Sequence, residues 1–358
     1  MPIIFLLFLG LLTQTPSQSR PQPVPPVMRV DPNANAPAQP SQKRQSETQD
    51  VAENDVISID TTVVNVPVSV FQHDGKYVAD LRKEDFHLWE DGVEQQIAYF
   101  APVEKPFTVV LMLDISDSTE KRLPEIKKAA ISFVEQLRAD DRVLVVSFDS
   151  RINILSEATS DRNALRQAIN AARSGGGTRL YDAVDFVVNH RLNKVAGRKA
   201  IVLFTDGVDV KSRATALGTI HDLEEKDVLV YPVKFDTESD LRDQVGESPT
   251  VPIYAAADGS RHQAYVEAGN YLNSLANRTG GQLYNSGGRQ SIAQAFAQVA
   301  EALRWQYSLG YYPQPPGEPG SRHKVKVRVN RPKLAVRAKE SYLRQPAVET
   351  KKPAKIKS

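Results

Sequence analysis

The stretch that decides the fold is Phe107-Thr108-Val109-Val110-Leu111-Met112-Leu113, which ends at the polar loop Asp114-Ile115-Ser116-Asp117-Ser118. A continuous apolar run of this kind is typical of a strand buried on both faces of a parallel sheet, whereas a strand with one solvated face alternates. After the loop, apolar residues recur at the spacing of an amphipathic helix. They are Ile126, Ala129, Ala130, Phe133, Val134 and Leu137. The stretch therefore predicts a buried strand, a polar loop and a helix that packs on the sheet.

The same unit repeats along the middle of the chain. Further strands are predicted at 143–148, 151–155, 199–204, 228–234 and 282–284. Strands that alternate with amphipathic helices predict an α/β domain over 105–304, with a doubly wound, mostly parallel, Rossmann-like sheet and helices on both faces. Residues 236–268 break the pattern and are expected to form an irregular insertion. Ligands of such sheets bind beyond the carboxyl ends of the strands, so the site is to be sought there.

The segments that flank this domain have the pattern of antiparallel strands. Apolar residues alternate over 64–70 and again over 325–329, and Asp74-Gly75 and Asp91-Gly92 are strong hairpin turns. Neither 56–102 nor 305–343 has enough strands to be stable alone. We therefore expect them to pair into one small antiparallel β module, with the α/β domain inserted between them.

Composition excludes several classes of protein. The chain has 358 residues, no cysteine, and 45 basic against 43 acidic side chains, a net charge of +2. A near-neutral charge gives no reason to expect a nucleic-acid partner. The absence of cysteine excludes disulfides, thiolate metal sites and a cysteine nucleophile.

The two ends of the chain predict export. Residues 3–12 are apolar, a length that suits the core of a signal peptide and is too short to span a membrane. We therefore expect a signal peptide over 1–19, a disordered proline-rich linker over 20–55 and a disordered basic tail over 344–358. The mature protein is expected to be periplasmic or secreted and to have no membrane span.

Oxygen-bearing side chains come from three loops at the expected carboxyl edge of the sheet. Asp114, Ser116 and Ser118 follow the first strand, Thr178 follows Gly175-Gly176-Gly177, and Asp206 follows the strand at 199–204. A hard, oxygen-only set of ligands suits Mg²⁺ and does not suit zinc, which prefers histidine or cysteine. Taken singly, the aspartates and serines are also good helix caps, and the glycines also make ordinary turns.

Other candidate sites are weaker. The glycine run lacks the Gly-Lys-Ser/Thr of a phosphate-binding loop, so no nucleotide is expected. The six histidines are scattered and are expected at the solvated surface, whereas Trp89 and Trp305 are expected in the core.

The segment from Phe107 to about Phe235 resembles the von Willebrand factor type A (VWFA) domain, and its three loops resemble the metal-ion-dependent adhesion site (MIDAS) of that family. The resemblance implies one divalent cation, Mg²⁺ or another such as Mn²⁺, some of whose ligands act through water. The implied ligands are Asp114, Ser116, Ser118, Thr178 and Asp206. The segments 83–86, 90–93, 275–284 and 305–312 resemble the exported VWFA-related domain family typical of acidobacteria.

Three functions compete at this point. The first is a non-enzymatic binding protein whose cation captures an Asp or Glu carboxylate of a protein partner by adhesion. The second is a structural scaffold with an incidental metal. The third is a Mg²⁺-dependent phosphohydrolase with Asp114 as nucleophile, but the residue two positions later is Ser116 and not the usual acid/base carboxylate.

Overall fold

A computed structural model describes residues 63–102, 106–235, 260–286 and 291–344. All of them lie in one compact unit, residues 58–358. The expected signal peptide, linker and basic tail therefore lie outside the described residues, apart from Arg344. Among the helices of the described segments, none is both long and apolar enough to cross a membrane.

A six-stranded sheet forms the centre of the protein. Its strand order is β10-β9-β8-β5-β6-β7, and every neighbouring pair is parallel except β6 and β7. The strands are β5 (Phe107–Asp114), β6 (Arg142–Phe148), β7 (Ile152–Thr159), β8 (Arg198–Thr205), β9 (Val228–Phe235) and β10 (Tyr284–Ser286). The predicted fold class is confirmed, including the additional antiparallel strands described below.

Helices cover both faces of this sheet. They are α1 (Leu123–Gln136), α2 (Arg162–Ala171), α3 (Leu180–Phe186), α4 (Ala216–Glu225), α5 (Ser260–Thr279) and α6 (Ile292–Arg304). Val109, Leu111 and Leu113 of β5 pack with α1, α2 and α6, whereas Val110 and Met112 pack with α3, α4 and α5. Because both faces of β5 are buried, its sequence is apolar without alternation.

The start of helix α5 corrects the predicted end of the irregular insertion. Residues 236–268 were expected to be irregular, but the helix already begins at Ser260. The first residues of α5 are polar, so no apolar periodicity marks its start. Residues 236–259 lie outside the described part of the chain.

The flanking segments form two four-stranded antiparallel sheets, with strand orders β13-β1-β11-β4 and β14-β12-β2-β3. The strands are β1 (Val64–Gln72), β2 (Phe86–Glu90), β3 (Val93–Gln95), β4 (Ile97–Ala101), β11 (Tyr307–Tyr311), β12 (Arg322–Val329), β13 (Leu334–Ala338) and β14 (Ser341–Leu343). Strands from before and after the central domain alternate in the first sheet and meet at the β12–β2 pair in the second, and the two sheets share one apolar core. We call this part the β module.

Buried charge joins the β module to the central domain. Glu224 on α4 has no exposed side-chain surface, and it accepts hydrogen bonds from Arg322 of β12 and Arg278 of α5. Lys339 of the module donates to Asp227 at 2.8 Å. These contacts fix how the module sits against the central domain.

The two tryptophans are not core residues. Trp305 is 37% exposed, and its indole N–H donates to Glu301 at 3.1 Å. Trp89 is half-buried on the outer face of β2. The expectation that both lie in the core is therefore wrong, because both sit where one face of their element is open to solvent.

Candidate metal centre

The candidate site lies at the carboxyl edge of the central sheet, where two neighbouring parallel strands end. Leu113 of β5 is in register with Phe204 of β8. Asp114, the last residue of β5, therefore lies close to Asp206, the first residue after β8. Both carboxylates are buried, with 0% and 2% of their surface exposed.

A continuous chain of hydrogen bonds joins the two aspartates through the serines. The Ser116 hydroxyl donates to Asp114 Oδ1 at 2.6 Å and lies 3.1 Å from the Ser118 hydroxyl. The Ser118 hydroxyl donates to Asp206 Oδ2 at 3.0 Å. The backbone N–H of Ser116 also donates to Asp114 Oδ1 at 3.0 Å. The structure thus brings four of the five predicted residues into one cluster.

Thr178, the fifth residue, is held nearby by its backbone. Its carbonyl accepts hydrogen bonds from the N–H groups of Val210 and Lys211, at 3.1 and 3.2 Å, which ties its loop to the loop of Asp206. Thr178 is 6% exposed. Its hydroxyl makes no hydrogen bond to any residue that the structure describes, so it stays available as a ligand.

The glycines before Thr178 allow this close approach. A Cβ at Gly175 would lie 1.9 Å from Asp149 Oδ2, and Gly177 has a φ of +73°. Only glycine fits at position 175 without displacing Asp149, and the positive φ at position 177 strongly favours glycine there.

Thr205 belongs to the cluster although it is absent from the sequence-predicted set. Its hydroxyl donates to Asp114 Oδ2 at 2.6 Å and accepts from the N–H of Gly207 at 3.0 Å. Both oxygens of Asp114 are thereby held in place. The available signal was the position of Thr205 next to Asp206, at the end of a strand that neighbours β5.

Electrostatics favour a cation at this site. Burial, together with the charge of Asp206, raises the pKa of Asp114 from 3.8 to about 7. Ionised Asp114 is therefore unfavourable in the protein alone, and a bound cation would offset both causes. All five predicted side chains offer oxygen and none offers nitrogen or sulfur, so the donor set fits a hard divalent ion such as Mg²⁺.

A second cluster with possible metal ligands lies in the β module. One ligand atom each from Glu90, Asp91 and His323 lies within 4.8 Å of the others. These atoms already have partners: the Tyr311 hydroxyl donates to Glu90 at 2.6 Å, and His323 Nδ1 lies 2.7 Å from Asp91. His323 is only 8% exposed, so the expectation of solvated histidines is wrong for this residue. We interpret the cluster as a hydrogen-bonded network of the module core.

Known proteins resemble this chain in sequence and in structure. In sequence, it is 31% identical over 122 residues to an uncharacterized protein of Synechocystis sp., an alignment that covers 32% of this chain and only 29% of the relative. In structure, it is similar to a von Willebrand factor type A protein from Catenulispora acidiphila, with 11% identity and a TM-score of 0.44 over 80% of this chain and 75% of that one.

Two other solved structures are also similar. One is the vWF domain of the type V pili tip protein Mfa5 from Porphyromonas gingivalis, with 14% identity and a TM-score of 0.43 over 56% of this chain and 96% of that one. The other is proximal thread matrix protein 1 from the mussel byssus with a zinc-occupied MIDAS motif, with 13% identity and a TM-score of 0.42 over 60% and 49%.

The family model of the von Willebrand factor type A domain matches residues 108–278. This range runs from β5 to the end of α5 and contains all five predicted site residues. It does not include the β module, for which the resemblance to the exported VWFA-related family stays a prediction. The central part of the chain, over residues 108–278, is a von Willebrand factor type A domain.

Proposed function

We propose that this protein is a non-enzymatic, exported binding protein that captures an acidic side chain of a partner protein through a divalent cation. The observation that carries the proposal is the buried cluster at the sheet edge, in which Asp114 and Asp206 are joined through Ser116 and Ser118. A buried pair of carboxylates is costly without a counter-charge, and a cation supplies one.

The residues have distinct roles in this proposal. Asp114 is held on both oxygens by Ser116 and Thr205, so its orientation is fixed before the cation arrives. Ser116, Ser118 and Thr178 offer neutral hydroxyl oxygens, which leave much of the positive charge uncompensated. When bound, the cation would supply a Lewis-acidic position that prefers a hard anionic oxygen, such as the carboxylate of Asp or Glu.

Export is supported by the apolar run at residues 3–12, followed by small and polar residues. The proposed location of the mature protein is the periplasm or the extracellular space. A partner protein that presents an exposed carboxylate would be met there, and neither a nucleic acid nor a nucleotide is part of the proposal.

Mg²⁺ binding is the first test. We expect calorimetry on the full chain to show Mg²⁺ binding that is lost in Asp206→Ala and weakened in Thr178→Ala, which removes only a neutral ligand. Asp140→Ala is a matched control, because Asp140 is exposed in the turn before β6 and thus at the other end of the sheet. Mg²⁺ affinity that is unchanged in both site variants would refute the assignment.

Capture of a partner is the second test. Proteins from the native envelope that bind immobilised wild-type chain in Mg²⁺ should be released by EDTA and should not bind Ser116→Ala. A partner that binds equally in EDTA would contradict the adhesion mechanism while leaving the domain assignment intact.

The enzymatic alternative has a direct assay. If Asp114 were the nucleophile of a phosphohydrolase, purified protein would hydrolyse p-nitrophenyl phosphate in Mg²⁺ and Asp114→Asn would not. We expect no difference between the two proteins.

A further inference from the structure

A row of positively charged side chains runs along one strand of the β module. Lys324, Lys326 and Arg328 are exposed on the outer face of β12, whereas the alternate residues Val325, Val327 and Val329 face the module core. We call these three residues the cationic stripe. A groove of about 1010 Å³ follows the stripe, with Trp89 on one side and Arg278 at the end of α5 on the other.

Neighbouring carboxylates offset the stripe only in part, since the charge of Asp91 acts on Lys324. Within the described segments, no Asp or Glu oxygen lies within 4.0 Å of a charged nitrogen of Lys324, Lys326 or Arg328. Arg322, on the same face of β12, differs because it is paired with the buried Glu224. The stripe therefore keeps positive charge that a ligand could neutralise.

The acidic residues around the groove either have hydrogen-bond partners of their own or lie at the margin of the groove. Asp91 accepts from the N–H of Lys324 at 2.8 Å and lies 2.7 Å from His323 Nδ1. Glu94, across β2 from the stripe, is paired with His87 at 2.6 Å. Glu340 is exposed and lines the groove beside β14.

Trp89 lies beside the stripe and lines the groove. It lies directly across from Lys326 in the β2–β12 pair. The ring of His87 stacks at 5.9 Å from it, and the guanidinium of Arg328 lies 5.8 Å from its centroid. The indole gives the groove an apolar wall.

We propose that the cationic stripe binds an acidic peptide segment in extended conformation, with Asp or Glu at every second residue. Alternate residues of a strand lie about 6.8 Å apart, and this repeat is the same in β12 and in an extended peptide. Such a peptide that runs along β12 brings one carboxylate to each cation. The three cations of the stripe lie outside the VWFA domain, so the inference does not depend on the proposed metal site.

The test uses the full chain and two fluorescent octapeptides of equal composition. One alternates Glu and Thr, and the other has four Glu followed by four Thr. Fluorescence anisotropy is measured in EDTA, so that the metal site cannot contribute. We expect the alternating peptide to bind more tightly and to be released at high ionic strength, which screens exposed charge.

Neutralising the stripe should weaken this binding. The triple variant Lys324→Gln, Lys326→Gln, Arg328→Gln is expected to lose about tenfold in affinity, the sum of three exposed ion pairs of usual strength. The control carries the same change of charge at three exposed lysines elsewhere and should bind like the wild type. Its substitutions are Lys83→Gln, Lys128→Gln and Lys194→Gln.

Three results would overturn the inference. An equal loss in both triple variants would mean that only net charge matters. Equal binding of the two octapeptides would mean that the spacing of the stripe is irrelevant. Stripe-dependent binding of polygalacturonate or oligothymidylate that is tighter than that of the peptide would assign the surface to another class of polyanion.

Discussion

Replacing Asp114 with asparagine removes the charge that the buried site accommodates least well. In the metal-free protein, burial and the neighbouring Asp206 raise the pKa of Asp114 to about 7, against 3.8 for an ordinary aspartate. Asparagine keeps the size of the side chain but never ionises. We therefore expect Asp114→Asn to raise the stability of the metal-free protein at neutral and alkaline pH.

The sign and magnitude follow from proton linkage. Between the ordinary pKa and the raised one, the folded state holds a proton that the unfolded state has lost, so stability falls as the pH rises through this range. The full difference between the two pKa values corresponds to a loss of about 4 kcal/mol in the free energy of unfolding, and this loss is complete above the folded-state pKa. Asparagine replaces one of the two acceptor oxygens used by Ser116 and Thr205, which costs about 1–2 kcal/mol. The net gain in EDTA at alkaline pH is then about 2–3 kcal/mol.

Urea denaturation in EDTA at about pH 5 and about pH 8 measures the effect. Wild type should be less stable at the higher pH, and the variant should lack this contribution. Mg²⁺ at about a thousand times its dissociation constant should reverse the order at the higher pH, because it stabilises only the form that binds it, by about 4 kcal/mol, which exceeds the gain of the variant.

Asp141→Asn is the matched control. Asp141 is also buried, but it lies at the opposite end of the sheet and accepts from the N–H groups of Phe107 and Arg138 at 2.8 and 2.9 Å. Its substitution should lower stability at both pH values. If Asp114→Asn were destabilising in EDTA at alkaline pH to the same extent as Asp141→Asn, the electrostatic reasoning about the site would be wrong.

Three further predictions concern stability and are measured by urea denaturation. Glu224→Gln should cost about 2 kcal/mol, because it leaves Arg322 without its buried partner at the boundary of the β module; an unchanged midpoint would mean that this ion pair does not stabilise the junction. Gly281→Ala should cost about 3 kcal/mol, since a Cβ there would lie 1.8 Å from the carbonyl oxygen of Val230. Ser291→Ala removes the cap at the start of α6 and should cost about 1 kcal/mol, whereas Ser291→Asp should keep the stability.

The central sheet could be predicted from the sequence because its signals are local. The run at 107–113 is apolar throughout since β5 is buried on both faces, and the polar loop that follows marks its carboxyl end. The meeting of Asp114 and Asp206 then follows from the parallel direction of β5 and β8. The role of these residues as metal ligands stays a prediction.

Other features depend on pairing between distant residues and left no local signal. The β module consists of two sheets, because β11 pairs with β1 and β4 whereas β12 pairs with β2 and β14. In the pairs β1–β11, β4–β11 and β2–β12, the partners lie more than 200 residues apart in sequence, so that packing settles which strands become neighbours. For the same reason His323 could not be recognised as buried, since its carboxylate neighbours Glu90 and Asp91 come from the other end of the chain.

The β module also determines how the central domain is tethered. Ala101 of β4 and Ser308 of β11 are direct neighbours in one sheet, so the chain enters and leaves the domain side by side. The two connections between the β module and the central domain lie near Phe107. Phe107 is at the opposite end of β5 from Asp114, and the two residues are about 23 Å apart along the strand. A pull on a ligand at the metal-site edge would be shared between two connections that end in the same pair of hydrogen-bonded strands. Under such a force, neither end of the domain could separate from the β module without breaking the hydrogen bonds between β4 and β11.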